Sequence, residues 1–510
     1  MKAFLRRVFG RAARPAPARL ALAAAAGAAV ALGQAPWGLW PVALAALVLL
    51  TTLVARESAV APRNWLGWAG GAGYGAGALF WIVEPFLVEP EVYGWMAPFA
   101  LVLMAAGMAV FWLLPAWIAA LGRTQATRAI GFAVGLAASD LLRGYIFTGF
   151  PWALVGHIWI GTPVMQAAAW AGPVGLSLLT ALMAALPAAA TSPRDRALAA
   201  GVSLALLAAF WGGGTLLLAA SEAPRDPAIR VRLVQPDADQ RLKWRADMWR
   251  VFLDRLVTAT AAPADRPLDL IVWPETALPF LLEQSGPFLT GTLAVAAGGV
   301  PVATGVQRSD GARYYNSLAV IDGGGDPVAI YDKWHLVPFG EYIPLGDLAA
   351  RFGITAFAAQ EGAGYTAGPG ARVIDLGPAG KVLPLICYEA VFPQDLRAAP
   401  DRADWVLQVT NDGWFGRVAG PYQHLAQAQL RAVEQGLPLL RVANTGVTAV
   451  IDARGRVLQS LPLGAEGWFD AEVPPSLPRT LYARTGDSPA AILLLSLLAA
   501  LGFFRRRQSH

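Results

Sequence analysis

Charge is what this sequence has least of. Only 15% of its 510 residues are Asp, Glu, Lys or Arg while 56% are hydrophobic, against roughly 25% charged in an ordinary soluble protein. Cysteine is nearly absent: Cys387 stands alone, so no disulfide can join two parts of the chain. One cysteine and four histidines form no zinc-type spacing, and neither a P-loop nor a dinucleotide fingerprint occurs. No metal and no cofactor are expected. Gly-Gly-Gly at 212–214 and 323–325 is too weak a pattern for a phosphate cradle. The net charge of +5 might suggest nucleic acid, but the basic residues gather at the two ends. Arg6, Arg7, Arg11, Arg14 and Arg19 precede an apolar stretch and Arg505, Arg506 and Arg507 follow one, where such residues anchor helices. No nucleic-acid partner is expected.

The apolar residues are unevenly spread. Seven runs long enough to approach a bilayer crossing of about 20 residues precede residue 221: 18–34, 37–55, 65–83, 94–120, 129–146, 164–190 and 197–220. An eighth covers 489–504. The first could be a cleaved signal, but no clear cleavage site followed by a soluble chain appears, and it reads as a retained span. Pro115 and Pro187 are expected to bend the fourth and sixth. Loops after the second, fourth and sixth runs carry Arg56 and Arg63, Arg123 and Arg128, and Arg194 and Arg196; the loop after the third carries Glu84, Glu89 and Glu91. Arg143 is the one exception. The positive-inside rule then puts the even loops and both termini in the cytoplasm and residues 221–488 outside. The expected organisation is a transmembrane bundle over 1–220, an extracytoplasmic domain over 221–488, and a last helix with a basic tail over 489–510. Ionisable residues are nearly missing from the spans, Asp140 being the main candidate, which weighs against an ion pathway. Trp37, Trp40, Trp81, Trp95, Trp112 and Trp117 fit an interfacial belt.

From Ile229 the pattern changes to short β-type runs bounded by turns. Strands are expected at 229–234, 268–273, 300–306, 315–321, 328–331, 382–386, 405–409, 439–443 and 448–451, with helices over 245–260 and 421–436. Most of these strands are continuous apolar runs, which argues for sheets covered by helices in a layered sandwich.

Three polar side chains follow apolar strands: Glu275 after Leu-Ile-Val-Trp-Pro, Lys333 after Val-Ala-Ile-Tyr-Asp, and Cys387 after Val-Leu-Pro-Leu-Ile. Strand ends in α/β proteins share one rim, so residues far apart in sequence can meet there. Taken singly they read as a surface carboxylate, a solvated lysine and a buried thiol. Together they suit acyl transfer. The thiolate is the nucleophile, a carboxylate raised in pKa by burial takes its proton, and an ammonium favours the thiolate and faces an oxyanion. His335 is the rival base, but its setting in Trp-His-Leu-Val-Pro reads as structural.

The segments Trp273-Pro-Glu275, Lys333-Trp-His-Leu-Val-Pro-Phe-Gly-Glu341 and Ile386-Cys-Tyr-Glu389 resemble the nitrilase superfamily. With apolar spans on both sides, the chain resembles that superfamily's membrane-embedded branch, the apolipoprotein N-acyltransferases, over nearly its full length. The resemblance implies an α+β membrane protein in which eight helices carry an α-β-β-α nitrilase-like sandwich. It implies a Glu275–Lys333–Cys387 triad, a phospholipid acyl donor, a thioester on Cys387 and a diacylated apolipoprotein acceptor, in a monomer of the bacterial inner membrane with its catalytic domain on the periplasmic side. Glu341 matches the family's second carboxylate, expected to orient Lys333 or the base, and Tyr388 and Glu389 match residues beside the cysteine. Trp152, Trp244, Asn411, Trp414 and Phe415 match positions tied to substrate binding. Residues 338–368, with Leu348, Phe352, Ile354 and Phe357, suggest a mobile lid, or a loop packed on the domain. A membrane-attached amidase passing the acyl group to water is the enzymatic alternative; a transporter or scaffold indifferent to Cys387 is the non-catalytic one.

Overall fold

A computed structural model describes residues 14–344 and 364–507. The chain forms two compact units, one of Met1–Ala220, Val418–Ala426 and Thr480–His510, the other of Ser221–Arg417 and Gln427–Arg479. Most of the expected lid, including Leu348, Phe352, Ile354 and Phe357, lies outside the described residues.

In the first unit a helix stands at each apolar run: α1 (Pro17–Ala31), α2 (Trp40–Arg56), α3 (Val60–Ala78), α4 and α5 (Ala97–Phe111, Leu113–Ala119), α6 (Gln125–Tyr145), α7 (Ala168–Ala189), α8 (Pro193–Ala219) and, at the chain end, Ser488–Arg507. Among the described residues, three stretches are both long and apolar enough to cross a membrane: Pro90–Ala119, Pro163–Ala189 and Pro193–Ala219. Pro17–Ala31, Trp40–Arg56 and Ser488–Phe503 are apolar but shorter. Pro115 breaks the fourth run as expected, for α5 starts two residues before it, and a proline ring clashes with the carbonyl four positions back. The bend in the sixth run falls elsewhere than expected. Gly172, with φ of 63°, interrupts α7 just before Pro173, whereas Pro187 is carried within the helix.

Small residues let α1 and α3 touch backbone to backbone: a Cβ on Gly27 would meet the Gly70 carbonyl oxygen at 1.9 Å, and one on Gly73 would meet that of Ala24 at 1.9 Å. Arg143, the exception among the loop charges, is buried and turned inward. It reaches Asp140 at 3.1 Å and the carbonyls of Trp152 at 2.8 Å and Ala153 at 3.2 Å, while Asp140 also accepts from the Val155 N–H and the Ser177 hydroxyl. The tryptophans divide. Trp37, Trp95 and Trp117 are exposed, whereas Trp81 and Trp112 are buried and cannot belong to a belt.

The second unit holds two six-stranded mixed sheets. The first runs β12-β1-β2-β3-β4-β5 and the second β11-β10-β9-β8-β7-β6. Their strands are β1 (Arg230–Gln235), β2 (Leu270–Val272), β3 (Val302–Asp310), β4 (Arg313–Ile321), β5 (Pro327–Asp332), β6 (Ile374–Asp375), β7 (Lys381–Ile386), β8 (Trp405–Thr410), β9 (Leu439–Ala443), β10 (Thr448–Ile451), β11 (Val457–Leu461) and β12 (Gly467–Glu472). Each sheet has three parallel strands, β1-β2-β3 and β7-β8-β9, flanked by antiparallel ones.

The side-chain period of two explains the layering. Val231 and Leu233 of β1 face inward and join Val272, Leu318, Val382, Ile386, Leu407, Val409 and Val442 in a core made by both sheets. Val234, Ile271, Val302 and Ala319 point the other way, onto Leu253 and Leu256 of the helix α9 (Trp249–Ala261). The buried Arg232 lies on that outer face and donates to the carbonyls of Ala259 and Thr260 at the end of α9, while pairing with Asp470 at 2.7 Å. It thus satisfies the orphan carbonyls of a helix terminus.

Candidate functional site

The rim expected at the strand ends exists. Glu275 lies three residues beyond β2, Lys333 directly follows β5, Cys387 directly follows β7 and Asn411 directly follows β8. The first two belong to one sheet and the last two to the other. A glycine makes the approach possible. A Cβ on Gly305 of β3 would sit 2.4 Å from the Pro274 carbonyl oxygen and 2.5 Å from the Glu275 Cα, so only a bare backbone leaves room for the turn that presents Glu275.

Lys333 Nζ is buried between two carboxylates, 2.9 Å from Glu341 and 3.7 Å from Glu275. Asn316, on β4, donates through Nδ2 to Glu275 Oε1 at 2.7 Å and to Glu341 Oε1 at 3.0 Å. The Asn411 backbone N–H donates to Glu275 Oε2 at 2.8 Å, linking the two sheets. Glu341 also accepts the Val337 N–H at 2.8 Å. Burial raises the Glu275 carboxyl above its usual range, with Lys333 opposing and Glu341 reinforcing the shift. For Lys333 burial works against the charge, but the nearby Glu341, Glu275 and Cys387 together hold the ammonium well above its ordinary value.

Cys387 is buried and has φ of 50°, a left-handed conformation that non-glycine residues adopt at a cost and that collects at functional sites. Burial and the charge of Glu275 push the thiol up; Lys333 pulls it down, Asp412 pushes it up further, and a hydrogen bond with Thr410 favours the thiolate. A thiol so raised needs a base beside it. The strained turn is pinned by Glu389, fully buried, whose Oε2 accepts the Ile386 N–H at 2.7 Å and whose Oε1 accepts the Trp334 N–H at 2.9 Å; Tyr331 Oη lies 3.1 Å from both. Gln408 Nε2 donates to the Cys387 carbonyl at 3.1 Å.

Burial, ahead of those backbone donors, pushes the Glu389 carboxyl up to about 8. A carboxyl raised on folding contributes stability fully present below its unfolded value of 4.5 and lost as pH rises to about 8. Glu389→Gln should abolish that slope in pH-dependent thermal melts. It should also destabilise the chain by about 1–3 kcal/mol at acidic pH, because an amide NH2 then faces a buried backbone N–H.

Tyr388 packs edge-on against Phe392, with ring centroids 4.8 Å apart, and against His335. His335 itself stacks on Phe392 at 3.6 Å and shares a hydrogen with Asp395 across 2.9 Å, the structural setting expected for it. Asn411 is buried, its side chain joined to Gln240 at 2.6 Å and to Asn444 at 3.0 Å. Phe415 packs on the core that includes Cys387. Trp244 and Trp414 are half-buried. Trp152 lies in the other unit, buried, its indole N–H donating to Gln423 Oε1 at 2.7 Å.

Asn316, Lys243 and Thr410 escaped the sequence reading. Asn316 carried a signal, an amide two residues before the apolar Leu318–Ile321 end of its strand. Lys243 sits beside Trp244 and was passed over for it.

Residues 230–481 match the Carbon-nitrogen hydrolase family, and residues 26–186 match the Apolipoprotein N-acyltransferase N-terminal domain. Apolipoprotein N-acyltransferase from Rhodopseudomonas palustris is 36% identical over 513 residues, covering 96% of this chain and 95% of that protein. Those of Brucella melitensis and Caulobacter vibrioides are each 38% identical, covering 96% and 94% of this chain and 97% and 93% of their own lengths. The chain belongs to the apolipoprotein N-acyltransferase family. Among solved structures, a Nesterenkonia AN1 amidase of the nitrilase superfamily is 19% identical, with 54% of this chain and 98% of the amidase covered at a TM-score of 0.36. The two matched regions lie in one chain, the apolar helices of the first preceding the second.

Proposed function

We propose that this N-acyltransferase moves a fatty acyl chain from a membrane phospholipid to the α-amine of the N-terminal diacylglyceryl-cysteine of an apolipoprotein, through a thioester on Cys387. The observation that carries the chemistry is the lone thiol on a left-handed turn beside a buried network of Glu275, Lys333, Glu341 and Asn316. In the first step Glu275 takes the thiol proton and Sγ bonds to the ester carbonyl carbon. The ester C–O bond breaks, and Glu275 returns the proton to the departing lysophospholipid oxygen. In the second the amine nitrogen bonds to the thioester carbon, the C–S bond breaks, and the proton passes by Glu275 back to Sγ. Lys333 offsets the negative charge that develops in both steps. Glu341 orients Lys333; Tyr388 and Glu389 shape the cysteine turn. Trp244, Asn411, Trp414 and Phe415 line the approach of substrate in the hydrolase-like unit, and Trp152 is a substrate-binding residue of the helical unit.

The apolar helices supply access to a lipid donor. Eight spans, comprising seven over 1–220 and one over 489–510, would carry residues 221–488 as a four-layered α-β-β-α domain on the periplasmic face of the inner membrane. The loop arginines favour that orientation, and it is favoured further by the inward, paired position of Arg143, which removes the one charge at odds with it. The enzyme acts as a monomer without a nucleic-acid partner. The test is transfer in vesicles containing phospholipid labelled in its acyl chain and a diacylglyceryl-cysteine peptide. Label should appear on the peptide's free α-amine, and an N-acetylated peptide should receive none; release of labelled fatty acid at equal rate with either peptide would favour a hydrolase.

A further inference from the structure

Lys243 is a second buried lysine at the site, its ammonium pulled down to about 8 by burial against the opposing charge of Glu275. It is only 5% exposed, and among the described residues its Nζ reaches no carboxylate. It donates to Thr276 Oγ1 at 2.9 Å and to the Glu275 carbonyl oxygen at 3.3 Å, and lies 5.0 Å from the Trp244 ring centroid. A buried ammonium served by neutral acceptors is expensive unless opposite charge lies close by. That charge is present. Glu275 and Glu341 are two buried carboxylates sharing one contacting cation, Lys333, and Lys243 brings the cations to two.

The backbone argues for the same connection. Thr276 has φ of 45°, a conformation awkward for a β-branched residue, so the turn that carries Glu275 needs outside support. The Lys243 segment is itself tied to the opposite sheet's rim. Gln240 accepts from Asn411 at 2.6 Å, and the Ala238 N–H donates to Asn444 Oδ1 at 3.0 Å. The narrow cleft beside Lys243, bounded also by Trp244, Trp249, Phe252 and Pro274, leaves about 10 Å³, room for about one water.

We propose that Lys243 is a positioning residue for Glu275: it clamps the strained Glu275–Thr276 turn and supplies the second positive charge that keeps Glu275 ionised as a base. This rests on the assignment of Glu275 and Cys387 made above. The charged and titratable groups around Glu275 are Lys333, Glu341, Lys243, Cys387 and Tyr365, with Asp412 acting on the cysteine. Lys243 lowers the Glu275 carboxyl's proton affinity against the raising effect of burial.

The experiment uses the full chain in phospholipid vesicles. Thioester formation is followed against pH, and so is alkylation by iodoacetamide, which reports on Cys387 alone because no other cysteine exists. Lys243→Met should slow thioester formation about 10–100-fold at neutral pH and move the acid limb of both profiles up by about one pH unit. Lys243→Gln, which keeps a donor but no charge and disturbs packing less, should move the limb the same way. A purely structural lysine would change melting temperature or rate and leave the limb where it is. Limbs at the wild-type pH in both variants would overturn the proposal. Absence of a thioester in the wild type would instead count against Cys387 as acyl carrier, while the alkylation profiles would still read the effect of Lys243 on the thiol.

Discussion

Cys387→Ala is expected to reduce acyl transfer by at least about 10⁴-fold, to the background of vesicles without enzyme. The reason is chemical: the proposed route forms a bond to Sγ, and among the described residues no second thiol stands near to take its place. The substitution should cost stability only about 1 kcal/mol. It removes one buried atom, leaves the left-handed turn to be held by Glu389 and Gln408, and relieves the site of a thiol that burial and Glu275 already oppose ionising. Transfer assays and thermal melts on the same preparation separate the two effects. A variant that melts with wild type yet keeps acylating would favour a membrane protein indifferent to this cysteine.

Glu275→Gln should slow thioester formation by about 10²–10⁴-fold, the usual contribution of a positioned base. It keeps one oxygen, for either the Asn316 amide or the Asn411 N–H, and sets an NH2 against the other; both now donate to the carboxylate. The pH profile distinguishes lost basicity from lost packing. The working form of Glu275 is the ionised one, and burial raises its carboxyl. Wild-type activity should therefore fall as pH drops through a limb lying above the ordinary carboxylate range. In Glu275→Gln that limb should vanish, leaving a low rate governed by the thiol's own ionisation. A rate loss with the limb unmoved would assign the base elsewhere, with His335 the next to test despite its engagement by Asp395.

The parts of this molecule legible in its sequence are those written in local pattern. Apolar runs marked the long helices of the first unit but not short ones such as Val155–Trp159 and Leu481–Thr485, and nine strands were visible because each carries a stretch of Val, Leu or Ile. Three escaped. Ile374–Asp375 is only two residues, Val457–Leu461 is largely exposed, and Gly467–Glu472 alternates around Trp468 and Asp470. Their places are set by pairing with neighbours, which no local pattern records. Glu275, Lys333 and Cys387 were legible because each ends an apolar strand, and the resemblance supplied Glu341 and Glu389. The charge balance was not. That Lys333 serves two carboxylates, that Asn316 bridges them and that Lys243 lies beneath the Glu275 turn depend on contacts between different elements, such as those of Asn316 with Glu275 and of Lys333 with Glu275. The bend at Gly172 rather than Pro187 has the same lesson at short range. The positive φ of Gly172 interrupts the helix just before Pro173, while Pro187 stays within it.

The most direct measurement is the mass of the peptide containing Cys387 after full-length enzyme has been incubated with a phospholipid of defined acyl chain and no amine acceptor. The peptide should carry one acyl chain on sulfur. Hydroxylamine should remove it, and so should addition of a diacylglyceryl-cysteine peptide with a free α-amine, which should then contain the chain. An unmodified Cys387 peptide in enzyme that goes on to acylate the acceptor would contradict a thioester route.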